Sequence, residues 1–201
     1  MNQTIKRQWL LGIVTALVLL GIGAVARASD DVSVRWDIIH VVLPVLSAGG
    51  FASASANDGS VITMTGSGRF QVADGSFDDA TGGGTWQIRD ASNNLISSGT
   101  YRVRGVVLFT QAPGVFPSPP LIDQIGSAAN AHGGLAVLRI AYSDGSRGIL
   151  VMNCVPPVGG PASIFEGITA TKGYVNFATH GVAMDTVDAN HTILHVQAAG
   201  E

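Results

Sequence analysis

The chain has 201 residues, with 11 basic and 14 acidic side chains and a formal charge of −3. That balance argues against nucleic acid and anionic membrane surfaces as partners, and 1 cysteine rules out an internal disulfide framework. Few charges and 26 glycines suit a short-stranded, turn-rich β protein better than a helical one.

In chain order, Lys6 and Arg7 form a positive start, and residues 9–26 are free of charge. Ala26-Arg27-Ala28 then supplies small residues around a cleavage point. This pattern predicts a signal-peptide helix over 1–28, cut before Ser29, with residues 29–201 as a single β-barrel-like domain. An uncleaved anchor is the competing reading, because the apolar run is about long enough to span a bilayer. Either way the protein is expected to be exported: periplasmic, cell-surface or secreted. Membrane contact is expected only through this segment. Cleavage removes Lys6, Arg7 and Arg27 but no acidic residue, which moves the net charge to about −6.

Residues 32–43 are rich in β-branched side chains and read as a first long strand, or two short ones, ending at Pro44. Residues 49–59 are rich in Ala, Ser and Gly and read as a connection, and 60–65 follow as a strand. Next comes one phrase in three copies: Gly68-Arg-Phe-Gln-Val72, Gly84-Thr-Trp-Gln-Ile88 and Gly99-Thr-Tyr-Arg-Val103. A period of two puts the aromatic and aliphatic residues of each copy on one face of a strand. Three such strands in succession predict an antiparallel meander, with a turn at Asp74-Gly75 and a Gly-rich connection over 78–84.

Residues 111–134 carry four prolines and four glycines, an uncommonly long connection for a compact domain. The segment is a lid candidate, with one helical turn expected over 121–125. Residues 135–142 and 147–155 flank Asp144-Gly145 as a hairpin with a primed turn. A second hairpin is expected from 164–171 and 174–177, and 191–196 close as a last strand. The sum is an all-β fold, a single antiparallel barrel or barrel-like sandwich of about eight to ten strands.

The run Gly66-Ser-Gly-Arg-Phe70, Gly82-Gly-Gly-Thr-Trp86 and Ser98-Gly-Thr-Tyr101, with Asp144-Gly-Ser146 and Phe165-Glu-Gly-Ile168, resembles an uncharacterised group of exported bacterial barrel-like β proteins. Residues 66–105 are also similar to the allene oxide cyclase and dirigent type of barrel. No catalytic residue of either group is carried over.

Chemistry has four candidate places. The aromatic face (Phe70, Trp86, Tyr101) is core, or else a barrel lumen that holds a small apolar ligand. The opposite face carries Arg69, Gln71, Gln87, Arg89, Arg102 and Arg104, a solvated surface or a groove for a mildly anionic ligand. Asp123 and His132 lie in the long connection, where an acid–base pair is conceivable if it folds over a pocket. Glu166 flanks the late hairpin. His191 and His195 share a face, but four residues along a strand separates them by about 13 Å, too far to share an ion. His180, Asp185 and Asp188 are near them in sequence, yet no metal or cofactor is expected. Cys154 is expected to be a buried small apolar residue. The leading expectation is a non-catalytic binding protein, with Phe70, Trp86, Tyr101, Arg102, Asp123, His132 and Glu166 as candidate ligand residues. The alternatives are a cyclase- or isomerase-like barrel enzyme and a structural, surface-interaction protein.

Overall fold

The computed structural model describes residues 31–117, 119–181 and 190–198. The signal segment, Asp185 and Asp188 lie outside the described residues. The strands are β1 (Val32–Val42), β2 (Val45–Ala48), β3 (Ala52–Ser55), β4 (Val61–Met64), β5 (Ser67–Ala73), β6 (Ser76–Arg89) and β7 (Leu95–Gln111). They continue as β8 (Ile122–Asp123), β9 (Ala131–His132), β10 (Gly134–Tyr142), β11 (Arg147–Cys154), β12 (Gly167–Lys172), β13 (Val175–Phe177), β14 (Thr179–His180) and β15 (His191–Ala198). A single turn of 3₁₀ helix, Ala128–Asn130, is the only helical element among the described residues.

All of these strands belong to one sheet. Its main path runs β13-β12-β11-β10-β7-β6-β5-β1-β15-β9, and β4, β3 and β14 branch from β6. The meander is therefore real: β5, β6 and β7 pair in succession, antiparallel. Barrel closure is not. The ladder path has free ends and is not closed into a barrel. The sheet is mixed, since β2 pairs in parallel with β8. The sequence reading also undercounted the strands. The 49–59 stretch holds β3, and the supposed connection at 78–84 is interior to the 14-residue β6. That strand is long because its first half pairs with β5 and its second half with β4.

The inner face of the sheet is filled. Val34, Trp36 and Ile38 of β1 share one buried cluster with Ile62, Phe70, Leu138, Ile140, Leu150 and Ile168. Phe70 meets Phe77 and Phe109 edge-on, with ring centroids 6.3 and 5.5 Å apart. Tyr101 donates its hydroxyl to the Thr65 carbonyl at 2.9 Å, and Trp86 its indole N–H to the Thr100 carbonyl at 3.1 Å. Phe70, Trp86 and Tyr101 are thus buried members of the main core cluster, and the ladder path that holds them does not close around a lumen.

The repeated glycines now have a cause. Across the ladders Gly84 faces Tyr101, Trp86 faces Gly99 and Trp36 faces Gly68. A Cβ on Gly99 would stand 3.0 Å from the Trp86 indole nitrogen and 2.4 Å from Ser143 Oγ. One on Gly84 would stand 2.0 Å from the Thr65 carbonyl oxygen. Gly68 and Gly99 thus lie under the indole rings of Trp36 and Trp86, while Gly84 lies against the backbone of Thr65 and Gly66.

Turn geometry differs from expectation at one hairpin. Asp74 and Gly75 both have positive φ, 47° and 78°, as a primed turn requires. At the 142–147 hairpin only Gly145 does, at 88°. There the Gly145 N–H bonds to the Tyr142 carbonyl, and Asp144 caps Ser146 through both its N–H and its hydroxyl.

Candidate functional site

β1 is buried on both faces, and this organises the candidate site. Its residues Val34, Trp36 and Ile38 face the core just described. Its odd-numbered residues Arg35, Asp37, Ile39 and Val41 face outward, yet they are covered. The cover is the 112–133 segment. Ile39, Leu46, Ala131 and Ile193 form a second buried cluster, against which Val41, Phe116 and Ile125 pack. The lid candidate therefore lies across the outside of the sheet and not over a barrel mouth.

Polar contacts fix this cover at four points. β8 runs parallel to β2, and Ile122 N–H donates to the Pro44 carbonyl and Gln124 N–H to that of Leu46. This pairing takes the place of the expected helical turn. β9 pairs with β15. Arg35 forks its guanidinium onto Asp37 at 2.8 and 3.0 Å, and donates a third bond to the Ile125 carbonyl at 2.9 Å. Asp123 closes the set. One of its oxygens accepts the Ile125 and Gly126 amides at 2.8 and 3.1 Å, and the other meets His195 Nε2 at 2.6 Å. Both side chains of this last pair are almost inaccessible, at 2% and 4%.

The electrostatics follow from these contacts. Burial pushes the Asp123 carboxyl up, but the bonds from His195, Ile125 and Gly126 outweigh it and hold the pKa below the ordinary 3.8. Asp37 goes the other way: its burial outweighs the Arg35 fork and raises it. The same bond from Asp37 raises Arg35. Asp123 is thus saturated by its own loop and His195, a structural clasp and not a free base. His132 does not join it. Its Nδ1 lies 2.7 Å from Gln111 Nε2, and burial, with His195 as a second cause, lowers its pKa. The partner of Asp123 is His195, and His132 pairs with Gln111 instead. The alternation along the last strand signalled that His195 shares a face with His191, but nothing in the sequence located its partner 72 residues away.

Between cover and sheet lies a cavity of about 340 Å³. Ile39, Val41, Leu46 and Phe116 form apolar walls, and Cys154 at the end of β11 and Val155 just beyond it complete them. One carboxyl enters this lining, that of Glu166. Its Oε2 accepts the Val155 N–H at 2.6 Å and its Oε1 the Thr192 N–H at 2.8 Å. Burial outweighs these bonds and raises its pKa from 4.5 to about 7. His191 Nδ1 stands 4.0 Å from Oε1. Cys154 is buried as expected, and burial, with the Glu166 charge as a second cause, raises its thiol pKa well above the ordinary range. Such a thiol is inert at neutral pH.

The candidate ligand residues thus separate. Phe70, Trp86 and Tyr101 are core. Asp123 and His132 belong to the cover, and Glu166 alone lines the apolar cavity. Arg102 is exposed on a different outer face, that of β7. Most of the cavity walls escaped the sequence reading, because Ile39, Val41 and Leu46 look like ordinary strand residues.

No family model matches the chain, and no curated protein or solved structure is significantly similar to it.

Proposed function

We propose that this is an exported, non-catalytic binding protein whose ligand is a small apolar molecule with a single hydrogen-bond donor. The observation that carries the reading is the cavity of about 340 Å³ between the 112–133 cover and the outer face of β1, mostly apolar, with Glu166, His191 and Thr192 as the polar residues of its wall. That volume is at the small end of the range for ligand pockets, and a few polar groups on apolar walls are the usual way such pockets fix orientation. A carboxyl poised near neutrality accepts a bond from a hydroxyl or amine and disfavours an anion, so the mildly anionic ligand does not belong here. Export rests on the Lys6-Arg7 start and the Ala26-Arg27-Ala28 pattern. Mass spectrometry of the protein recovered from outside the cytoplasm should find Ser29 at its N-terminus.

Titration with the neutral fluorophore N-phenyl-1-naphthylamine tests the pocket. Saturable binding is expected in the native protein, and its loss in Val41→Trp and Val155→Trp, which fill the cavity. No saturable binding, or equal affinity in both filled variants, refutes the reading.

A second reading, a cyclase- or isomerase-like enzyme, is favoured by one observation: Glu166, with its raised pKa, has His191 Nδ1 at 4.0 Å. That places a proton donor and an acceptor side by side at the cavity mouth. The two readings divide on the bound compound. If it is recovered unchanged from both the native protein and Glu166→Gln, the protein binds it. If it is recovered rearranged from the native protein alone, the protein transforms it.

A further inference from the structure

We infer that the outer face of β7, β10 and β11 is a second binding site, for a small molecule carrying two or more oxyanion groups. Arg102 and Arg104 of β7, Arg139 of β10 and Arg147 of β11 are all exposed on this face. The registers bring them together: Arg102 faces Ala141, which faces Arg147, and Gly105 faces Arg139. Adjacent strands are about 4.8 Å apart, so the guanidinium groups span a patch that one small molecule can bridge.

The patch is concave. A cavity of about 670 Å³ is lined by Arg104, Arg139 and Arg147 above Ala141, Gly148 and Ile149. A smaller one of about 230 Å³ adjoins it through Arg104 and Ala141 and adds Arg102. The relief has a local cause. The β7–β10 ladder shifts register between Arg139 and Ile140, which leaves Arg104 outside the pairing. The Arg139 guanidinium then lies over Gly105, where a Cβ would stand 3.0 Å from its Nη2.

No acidic side chain lines either cavity. Asp144, at the nearby hairpin tip, is engaged by Lys172, whose ammonium also lies over the Trp86 ring. These four arginines make no ion pair with another described residue. Surface arginines of a net-acidic chain usually find local carboxylates, and four like charges left together repel one another. Oxyanions relieve that repulsion, and planar guanidinium forks suit carboxylate, phosphate or sulfate in bidentate geometry. The site is independent of the Glu166 cavity.

Isothermal titration calorimetry of the purified protein at low salt tests this, with tripolyphosphate, citrate and acetate as probes. Stoichiometric binding of tripolyphosphate or citrate is expected, with acetate at least about tenfold weaker, since each charged hydrogen bond contributes about that factor or more. The double variant Arg139→Gln/Arg147→Gln should weaken binding at least about tenfold, and so should Arg102→Gln/Arg104→Gln. All four positions are exposed, so folding is checked by unchanged circular dichroism. Glu166→Gln should leave this affinity unaltered, which separates this site from the cavity. The inference is overturned if neither polyanion binds, if the double variants bind as the native protein does, or if only long duplex DNA binds without fixed stoichiometry.

Discussion

Replacing Glu166 with glutamine gives a direct reading of its environment. In the folded protein the carboxyl pKa is about 7, against 4.5 for an ordinary glutamate. Between those values the folded state holds a proton that the unfolded state has released. Stability therefore falls as pH rises through this window and is level above it. The shift sets an upper limit of about 3 kcal/mol. The side chain is 27% exposed at the cavity mouth, and solvent screening brings the expected effect to about 1–2 kcal/mol. Urea unfolding of native protein and Glu166→Gln should be followed from about pH 5 to about pH 8. The native protein's advantage should shrink by that amount across the range, while every other titration common to both cancels. The variant carries a pH-independent penalty as well. One glutamine atom is a donor, and it must face either the Val155 or the Thr192 N–H, at a cost of about 1–3 kcal/mol. A difference that stays constant with pH would refute the raised pKa, and with it the account of Glu166 as a carboxyl held in apolar surroundings.

Other outcomes follow from the same geometry. Asp123→Ala removes the bonds to His195, Ile125 and Gly126 and should cost about 2–4 kcal/mol, with faster hydrogen exchange at the Ile125 and Gly126 amides. Because the Asp123 pKa is held below its ordinary 3.8, its contribution is complete above that value and is lost as pH falls below it. Acid should therefore release the 112–133 cover before the β-sheet core, as read by protease cleavage within that segment. Gly99→Val drives a side chain into Trp86 and Ser143 and should cost more than about 2 kcal/mol, read by thermal unfolding. Leu138→Ala opens a cavity in the main core and should cost about 2–5 kcal/mol in the same assay.

Much of the local structure was legible in the chain. Alternation located β5, β6 and β7, because a half-buried strand writes its two faces into neighbouring residues, while β-branched content and turn signals located β1, β4, β10 to β13 and β15. The three Gly-x-aromatic phrases announced a meander, and Cys154 announced its own burial. Alternation was blind where both faces of a strand are covered, as in β1, where Asp37 looks like a solvent residue but is 1% exposed. It was also blind to short strands such as β8, β9 and β14, which exist only because a distant strand supplies partners for their backbone.

The sequence by itself determined the strand-rich class, the meander and the glycines it needs, since these depend on residues close together in the chain. The tertiary structure decided that the sheet stays open, that the proline-rich connection clasps its outside, and that His195 is the partner of Asp123. It also decided that Glu166 faces an apolar cavity and that four arginines from three strands share one face. Each of these depends on which strands become neighbours, and a side chain's pKa or ligand is set by what stands within a few ångströms of it, however distant in the chain.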